Sequence, residues 1–331
     1  MTGKMRRIRA ILICGFFGLV VALTGGIGRW AIPSGPNPPP QGATSTATAS
    51  PQVATASLPL GNGHPTATNV LSLAIAAIES RETVSAKMRY EARLFGQRLL
   101  GSGSYVEQRP GRDHLFRLEL RFQLGDSPSS LVNVCDGRYL WEYRSTGGKS
   151  ELSRVDIVRA WRALERAGEP LAAHHAMALP GLGGVPRLLH GLNRQFEFGP
   201  AQRGKWSNPP VIVWRVEGQW RRESLKLMLP DQVQAIAEGR ADLKRLPPQV
   251  PDKVICYLGE ADCFPYRIEF RRQSSLAADP VTDQCILAVD FYDVRFNEPI
   301  DPSLMRYQPP SDTEFSDQTE SFIQRLKAGP N

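Results

Sequence analysis

Acidic residues are missing from the first 66 positions of this chain, where five basic ones stand: Lys4, Arg6, Arg7, Arg9 and Arg29. That imbalance supplies most of the formal net charge of +7, because the rest of the 331 residues holds 35 basic against 33 acidic side chains. Binding a nucleic-acid backbone needs cations concentrated on a folded domain, so no nucleic-acid partner is expected. Cysteine is scarce, five in all, and Cys135, Cys256, Cys263 and Cys285 lack zinc-ligand spacing. Histidine is equally scarce, and neighbouring helix positions such as His174-His175 point roughly 100° apart, too far to grip one ion. Neither a metal nor a cofactor is therefore expected. Gly181-Leu182-Gly183-Gly184-Val185-Pro186 lacks the last glycine of a dinucleotide fingerprint and follows a helical stretch. Gly101-Ser102-Gly103-Ser104 lacks the residue order of a nucleophile elbow. With no Ser/His/Asp or paired-carboxylate arrangement in view, the chain is not read as an enzyme.

What is present begins with a positional signal. Four cations in Met1–Arg9 precede nineteen uncharged residues, Ala10–Gly28. At about 1.5 Å per residue that run is roughly 28 Å long, enough to cross a hydrocarbon core. The cations should stay cytoplasmic and send the rest of the chain across the membrane. Two readings of residues 1–32 stand: a signal peptide with Thr24-Gly25-Gly26 offering a cleavage site, or a retained signal anchor, which the length of the run favours. Cys14 follows Ile13 rather than a small residue, so it is not a lipoprotein acylation site. Residues 33–66 hold eight prolines among Ser, Thr, Ala and Gly and no charge, the composition of an extended linker. A single domain is expected over 67–331.

Within it, Val70, Leu71, Leu73, Ala74, Ile75 and Ile78 have the spacing of an amphipathic helix over 69–79. The period then becomes two. Ala86, Met88, Tyr90, Ala92 and Leu94 alternate with polar residues, as do Phe116, Leu118, Leu120, Phe122 and Leu124. These are strands of an antiparallel sheet with one wet face. Val132 and Val134 lead through the turn dipeptide Asp136-Gly137 to Tyr139, Trp141 and Tyr143, which predicts a hairpin. Ser153, with Asp156 three residues on, is expected to cap a helix carrying Ile157, Trp161 and Leu164 and ending at Gly168. A short helix from Pro170 to Ala178 and another near Pro186, with Leu188, Leu189 and Leu192, should follow. Strands are expected again at 211–217, 220–229, 254–258, 265–271 and 286–296. Helices on one side of an antiparallel sheet make an α+β layer fold.

Cys256 and Cys263 flank a stretch that reads as a hairpin turn with Leu258-Gly259-Glu260-Ala261 at its tip. Pairing about that tip would bring the two within disulfide reach in an oxidising compartment; two separate buried thiols are the alternative.

Turn and strand-edge strings, from Leu94-Phe95-Gly96-Gln97 to Phe296-Asn297-Glu298-Pro299-Ile300-Asp301, together resemble the LolA-like lipoprotein-carrier family, and more closely its membrane-anchored relatives. They are Leu94-Phe95-Gly96-Gln97 with Gly101-Ser102-Gly103-Ser104-Tyr105, then Cys135-Asp136-Gly137-Arg138-Tyr139-Leu140-Trp141 and Gly183-Gly184-Val185-Pro186-Arg187-Leu188-Leu189. Phe264-Pro265-Tyr266-Arg267-Ile268-Glu269 and Phe296-Asn297-Glu298-Pro299-Ile300-Asp301 complete the set, which spans about 69–310. The resemblance implies a half-open, strongly curved antiparallel β-barrel with helices covering its concave face, which receives the acyl chains of a lipoprotein or lipid. Met88, Tyr90, Leu118, Leu120, Phe122, Trp141 and Phe270 are the expected lining, with Trp161 and Leu188 from the cover; the same nine would also serve as ordinary core. A carrier or receptor on the periplasmic side of the cell envelope is implied, held to the inner membrane by residues 1–32 if these are retained. Stress regulators of the RseB type, which read lipoproteins and bind a membrane protein, are the alternative. A hydrolase of lipids or envelope polymers is a remote one.

Overall fold

The computed structural model describes residues 67–94, 97–109, 114–124, 127–166, 184–207, 210–247, 250–273, 283–309 and 313–327. Cys14, the N-terminal apolar run, the linker, the 170–178 helix and His174-His175 lie outside them. Among the described residues no helix is long and apolar enough to cross a membrane.

Helix α1 (Ala67–Glu79) opens the domain. Strands β1 (Thr83–Leu94), β2 (Gln97–Gln108), β3 (Leu115–Leu124), β4 (Ser127–Cys135), β5 (Tyr139–Thr146) and β6 (Lys149–Asp156) follow as an antiparallel meander. Helices α2 (Ile157–Arg166) and α3 (Gly184–Gln195) come next. Strands β7 (Phe196–Phe198), β8 (Gln202–Ser207) and β9 (Pro210–Trp220) lead to the short helices α4 (Arg222–Met228) and α5 (Val233–Ala237). Then come β10 (Lys253–Gly259), β11 (Pro265–Gln273), β12 (Asp283–Phe296), a two-residue β13 (Ser316–Asp317) and α6 (Thr319–Lys327). All strands share one sheet in the order β13-β6-β5-β4-β3-β2-β1-β12-β11-β10-β9-β7, with β8 also on β9. Among the described residues only β13 runs parallel to its neighbour, β6.

This is the expected α+β class, and the sheet does not close into a barrel: β13 and β7 stand at opposite ends of the order. It curls around α1. That helix touches β7 and β10 on one side, while the Ile78 carbonyl at its C-terminal end accepts from Arg109 Nη1, just past β2, at 2.7 Å. Strands lie about 4.8 Å apart, so a flat sheet would hold β7 and β2 too far apart for one helix to reach both. Helices α1 and α3 pack on each other over the inner face, and inward side chains of β1–β4 and β9–β12 merge with them into one apolar core.

Several sequence expectations require correction. Ser153 does not start a helix. Strand β6 continues through Asp156, whose Oδ1 accepts from the Arg159 amide at 2.8 Å and so caps α2 one turn later than expected. The expected strand 220–229 does not form: β9 ends at Trp220, and 222–228 is helix α4. Leu225 within the helix and Leu229 at its C-cap, four apart and both buried, mark its packed side. The Asp136-Gly137 hairpin forms as expected: Asp136 Oδ1 accepts from the Arg138 and Tyr139 amides at 2.9 and 2.6 Å, and Gly137 takes φ +90°.

Candidate functional site

Strand pairing builds the inner face row by row. Met88 sits beside Gly103, then Leu120 and Leu131; Tyr90 sits beside Gly101, then Phe122 and Ser129. On the other flank Met88 pairs with Phe291 and Tyr90 with Val289, which leads to Ile268. The structure therefore brings Met88, Tyr90, Leu118, Leu120, Phe122 and Phe270 onto one wall, each no more than 6% exposed. Leu188 of α3 is half-buried against the same core. The side chain of Trp161 lies outside the described set.

Trp141 is a correction. It pairs with Val134, which pairs with Arg117, whereas the inward residue of that row is Leu140, beside Cys135 and Phe116. Trp141 is thus on the outer face. Its burial there comes from the C-terminal segment, with Tyr307 and Phe315 at ring distances of 5.7 and 5.3 Å and Arg154 over its ring.

Among the described residues, a buried polar network on the inner face centres on Glu107. Glu107, 1% exposed, follows Gly101, Gly103 and Tyr105 in the inward alternation of β2. Its carboxylate accepts from the Tyr105 hydroxyl and from Arg109, and lies 2.8 Å from His114 Nε2. Arg109 donates in turn to the Ile78 carbonyl of α1, and the Tyr105 hydroxyl accepts from the Val185 amide of α3 at 2.9 Å. Burial, and then the neighbouring Glu107 carboxylate, push the Tyr105 pKa well above its ordinary value, so the phenol stays protonated. The three side chains Arg109, Glu107 and Tyr105 therefore tie both covering helices to the sheet, with His114 joined to them at Glu107. Gly184 is the residue that permits it, with φ +61° and so little room that a Cβ would lie 2.1 Å from the Tyr105 oxygen.

A second polar cluster holds the β10–β11 turn. Asp262 accepts from the Phe264 amide and from the Tyr266 hydroxyl, at 2.9 and 2.6 Å. Arg81, between α1 and β1, donates to the Asp262 carbonyl at 2.6 Å and stacks 3.5 Å from the Phe296 ring centre. Burial lowers the Arg81 pKa, yet the group remains a cation because Arg starts so high.

The wall thus has three buried tyrosines, and they differ. Tyr105 and Tyr266 each donate to a carboxylate. Tyr90, 6% exposed, has no hydrogen-bond partner for its hydroxyl among the described residues. Its ring lies across Gly101, where a Cβ would come within 2.3 Å of the hydroxyl oxygen, and meets Phe122 edge-on at 6.3 Å. Burial alone raises its pKa.

The expected Cys256–Cys263 disulfide is not formed; all four cysteines of the domain are free thiols. Register is the reason. Cys256 faces Ile268 and Val216, while the Gly259 amide closes the turn onto the Phe264 carbonyl at 2.8 Å, so Cys263 belongs to the turn itself, at φ +56°. Burial pushes the Cys256 thiol up to about 12 and Cys135 to about 11. Among the described residues no group of His, Cys, Asp and Glu is arranged to hold a metal ion.

Sequence reasoning missed Glu107, Arg109 and His114. The available signal was parity: an acid in the inward register directly after Tyr105 has to be paired if it is buried.

No family model and no curated protein matches the chain. Among solved structures, a DUF1329 family protein from Desulfovibrio piger is 8% identical with a TM-score of 0.32, covering 72% of this chain and 96% of its own. A putative outer membrane lipoprotein-sorting protein domain from Vibrio parahaemolyticus is 10% identical with a TM-score of 0.30, covering 72% and 98%.

Proposed function

We propose that this protein holds acyl chains of a lipid or lipoprotein against the inner wall of its curled sheet, beneath α1 and α3, and catalyses no reaction. The observation that carries this is the wall itself: Met88, Leu118, Leu120, Phe122, Leu131 and Phe270 form a continuous apolar surface whose cover is helical rather than more sheet. Helices joined to a sheet by side-chain contacts can separate from it without breaking a strand ladder. Each methylene laid on such a wall is worth about 0.8 kcal/mol, so one long acyl chain supplies binding with little polar recognition. The Glu107 network supports the same reading, since it gives the cover defined attachment points, Ile78 and Val185, instead of a uniform greasy seam.

Residues 1–32 are proposed to place the domain on the periplasmic side of the envelope, tethered through the linker 33–66 where the apolar run is retained. A tether suits a receptor or a handover station better than a free shuttle. Native mass spectrometry on the full-length chain, extracted from membranes with a mild detergent, tests the reading. A stoichiometric lipid or lipopeptide that survives detergent exchange is expected; a mass equal to the bare polypeptide removes the support.

A further inference from the structure

An apolar wall grips hydrocarbon anywhere along its length, so something polar has to fix how far a chain enters. Of the three tyrosines on this wall, two are committed to carboxylates within the protein and only Tyr90 keeps a hydroxyl without a partner among the described residues. A buried, unmatched hydroxyl is costly to keep, and phenylalanine would fill the same ring position without that cost. The ring is held in place by its edge-on contact with Phe122 and by the absence of a side chain at Gly101, which seats the hydroxyl directly above β2 on the inner face. Around it in the sheet stand Met88, Ala92, Val289 and Phe122, whose side chains carry no oxygen or nitrogen to accept from it. Burial keeps the phenol in its donor form.

We propose that the Tyr90 hydroxyl donates a hydrogen bond to the carbonyl oxygen of an ester- or amide-linked acyl chain, and so sets the depth at which that chain lies on the wall. The inference rests on the acyl-binding reading above. It makes the preferred ligand an acylated molecule rather than a bare hydrocarbon or an ether lipid of the same length.

The test uses the full-length chain in a maltoside detergent, titrated with dipalmitoyl phosphatidylglycerol and with its dihexadecyl ether analogue, which has the same chains but no carbonyl. The wild-type protein is expected to prefer the ester lipid by about two- to tenfold, the usual net worth of one neutral buried hydrogen bond. Tyr90→Phe is expected to bind the two lipids equally and to melt no lower than wild type, because no bond within the protein is lost. Equal binding of both lipids by the wild type, or an unchanged ester preference in Tyr90→Phe, overturns the inference and leaves the acyl-binding reading standing. Failure of the wild type to bind either lipid removes both. A Tyr90→Phe protein that melts several degrees lower, or does not fold, shows that the hydroxyl serves the fold and also overturns it.

Discussion

The Val185 amide donates to the Tyr105 hydroxyl at 2.9 Å, joining the first turn of a covering helix to a strand 80 residues earlier in the chain. Because that hydroxyl also donates to Glu107, one phenol both fastens α3 and satisfies a buried acid. The cover is attached by a few named groups, and each can be removed separately.

Removing the acid should hurt most. Glu107→Ala strands Arg109, whose side chain is only 16% exposed, without its carboxylate. Breaking a buried pair from one side costs about 3–5 kcal/mol. Glu107→Gln, which can still accept from Tyr105, should cost less. Urea unfolding of the two variants checks the order, and equal losses would show that charge is irrelevant to the network.

Gly184→Ala probes the same joint from the helix side. It adds the strain of a left-handed backbone, about 1–2 kcal/mol, to a collision with the Tyr105 oxygen. Gly239, at φ +70° with nothing within 4 Å of its Cβ position, is the control for strain alone. Thermal melts should place Gly184→Ala clearly below Gly239→Ala; coincident melting temperatures would argue against the tight contact.

The strand pattern was legible in the sequence because Phe116–Leu124 has only one apolar face to offer. Trp141 was misplaced for the opposite reason. Both faces of β5 are covered, the outer one by Tyr307 and Phe315 from the C-terminal segment, so alternation marks burial without saying which side is inner. The α4 helix was read as a strand although Leu225 and Leu229 carried a helical spacing. The disulfide failed on a detail of register, since one residue more or less in a turn decides what faces Cys256. Glu107, Arg109 and His114 are brought together by the end of one strand and the start of the next, a proximity that spacing alone does not reveal.

Free thiols have a direct chemical consequence. Alkylation of the denatured protein without reductant should modify Cys256 and Cys263 alike, and in the native state Cys256, fully buried with its thiol pushed up to about 12, should react far more slowly. A peptide pair linked through Cys256 and Cys263 would contradict the observed register.

Stability should fall in alkali. Below pH 9.0, the ordinary value for a thiol, Cys256 and Cys135 keep their protons in the folded and the unfolded state alike. From there to about 12 the unfolded chain releases protons that buried Cys256 keeps, and Cys135 acts likewise to about 11, so the unfolded state gains. Tyr90, Tyr105 and Tyr266 add the same sign at higher pH. In acid, Asp317, held near 2 chiefly by its hydrogen bonds from Thr319 and also by Arg154, contributes above 3.8 and loses that contribution as pH falls through about 2. Half-exposed as it is, its share should be small. Urea midpoints across the pH range check both arms; a midpoint rising between pH 9 and 11 would contradict the burial of these groups.

Acyl contact with the inner wall is most directly tested by photo-crosslinking the full-length chain with a phospholipid that carries a diazirine near the end of one acyl chain, then mapping the labelled peptides. Label on β1 and β3, at Met88, Leu120 or Phe122, is the predicted result. Label confined to residues 10–28 or to the outer face around Trp141 would contradict it.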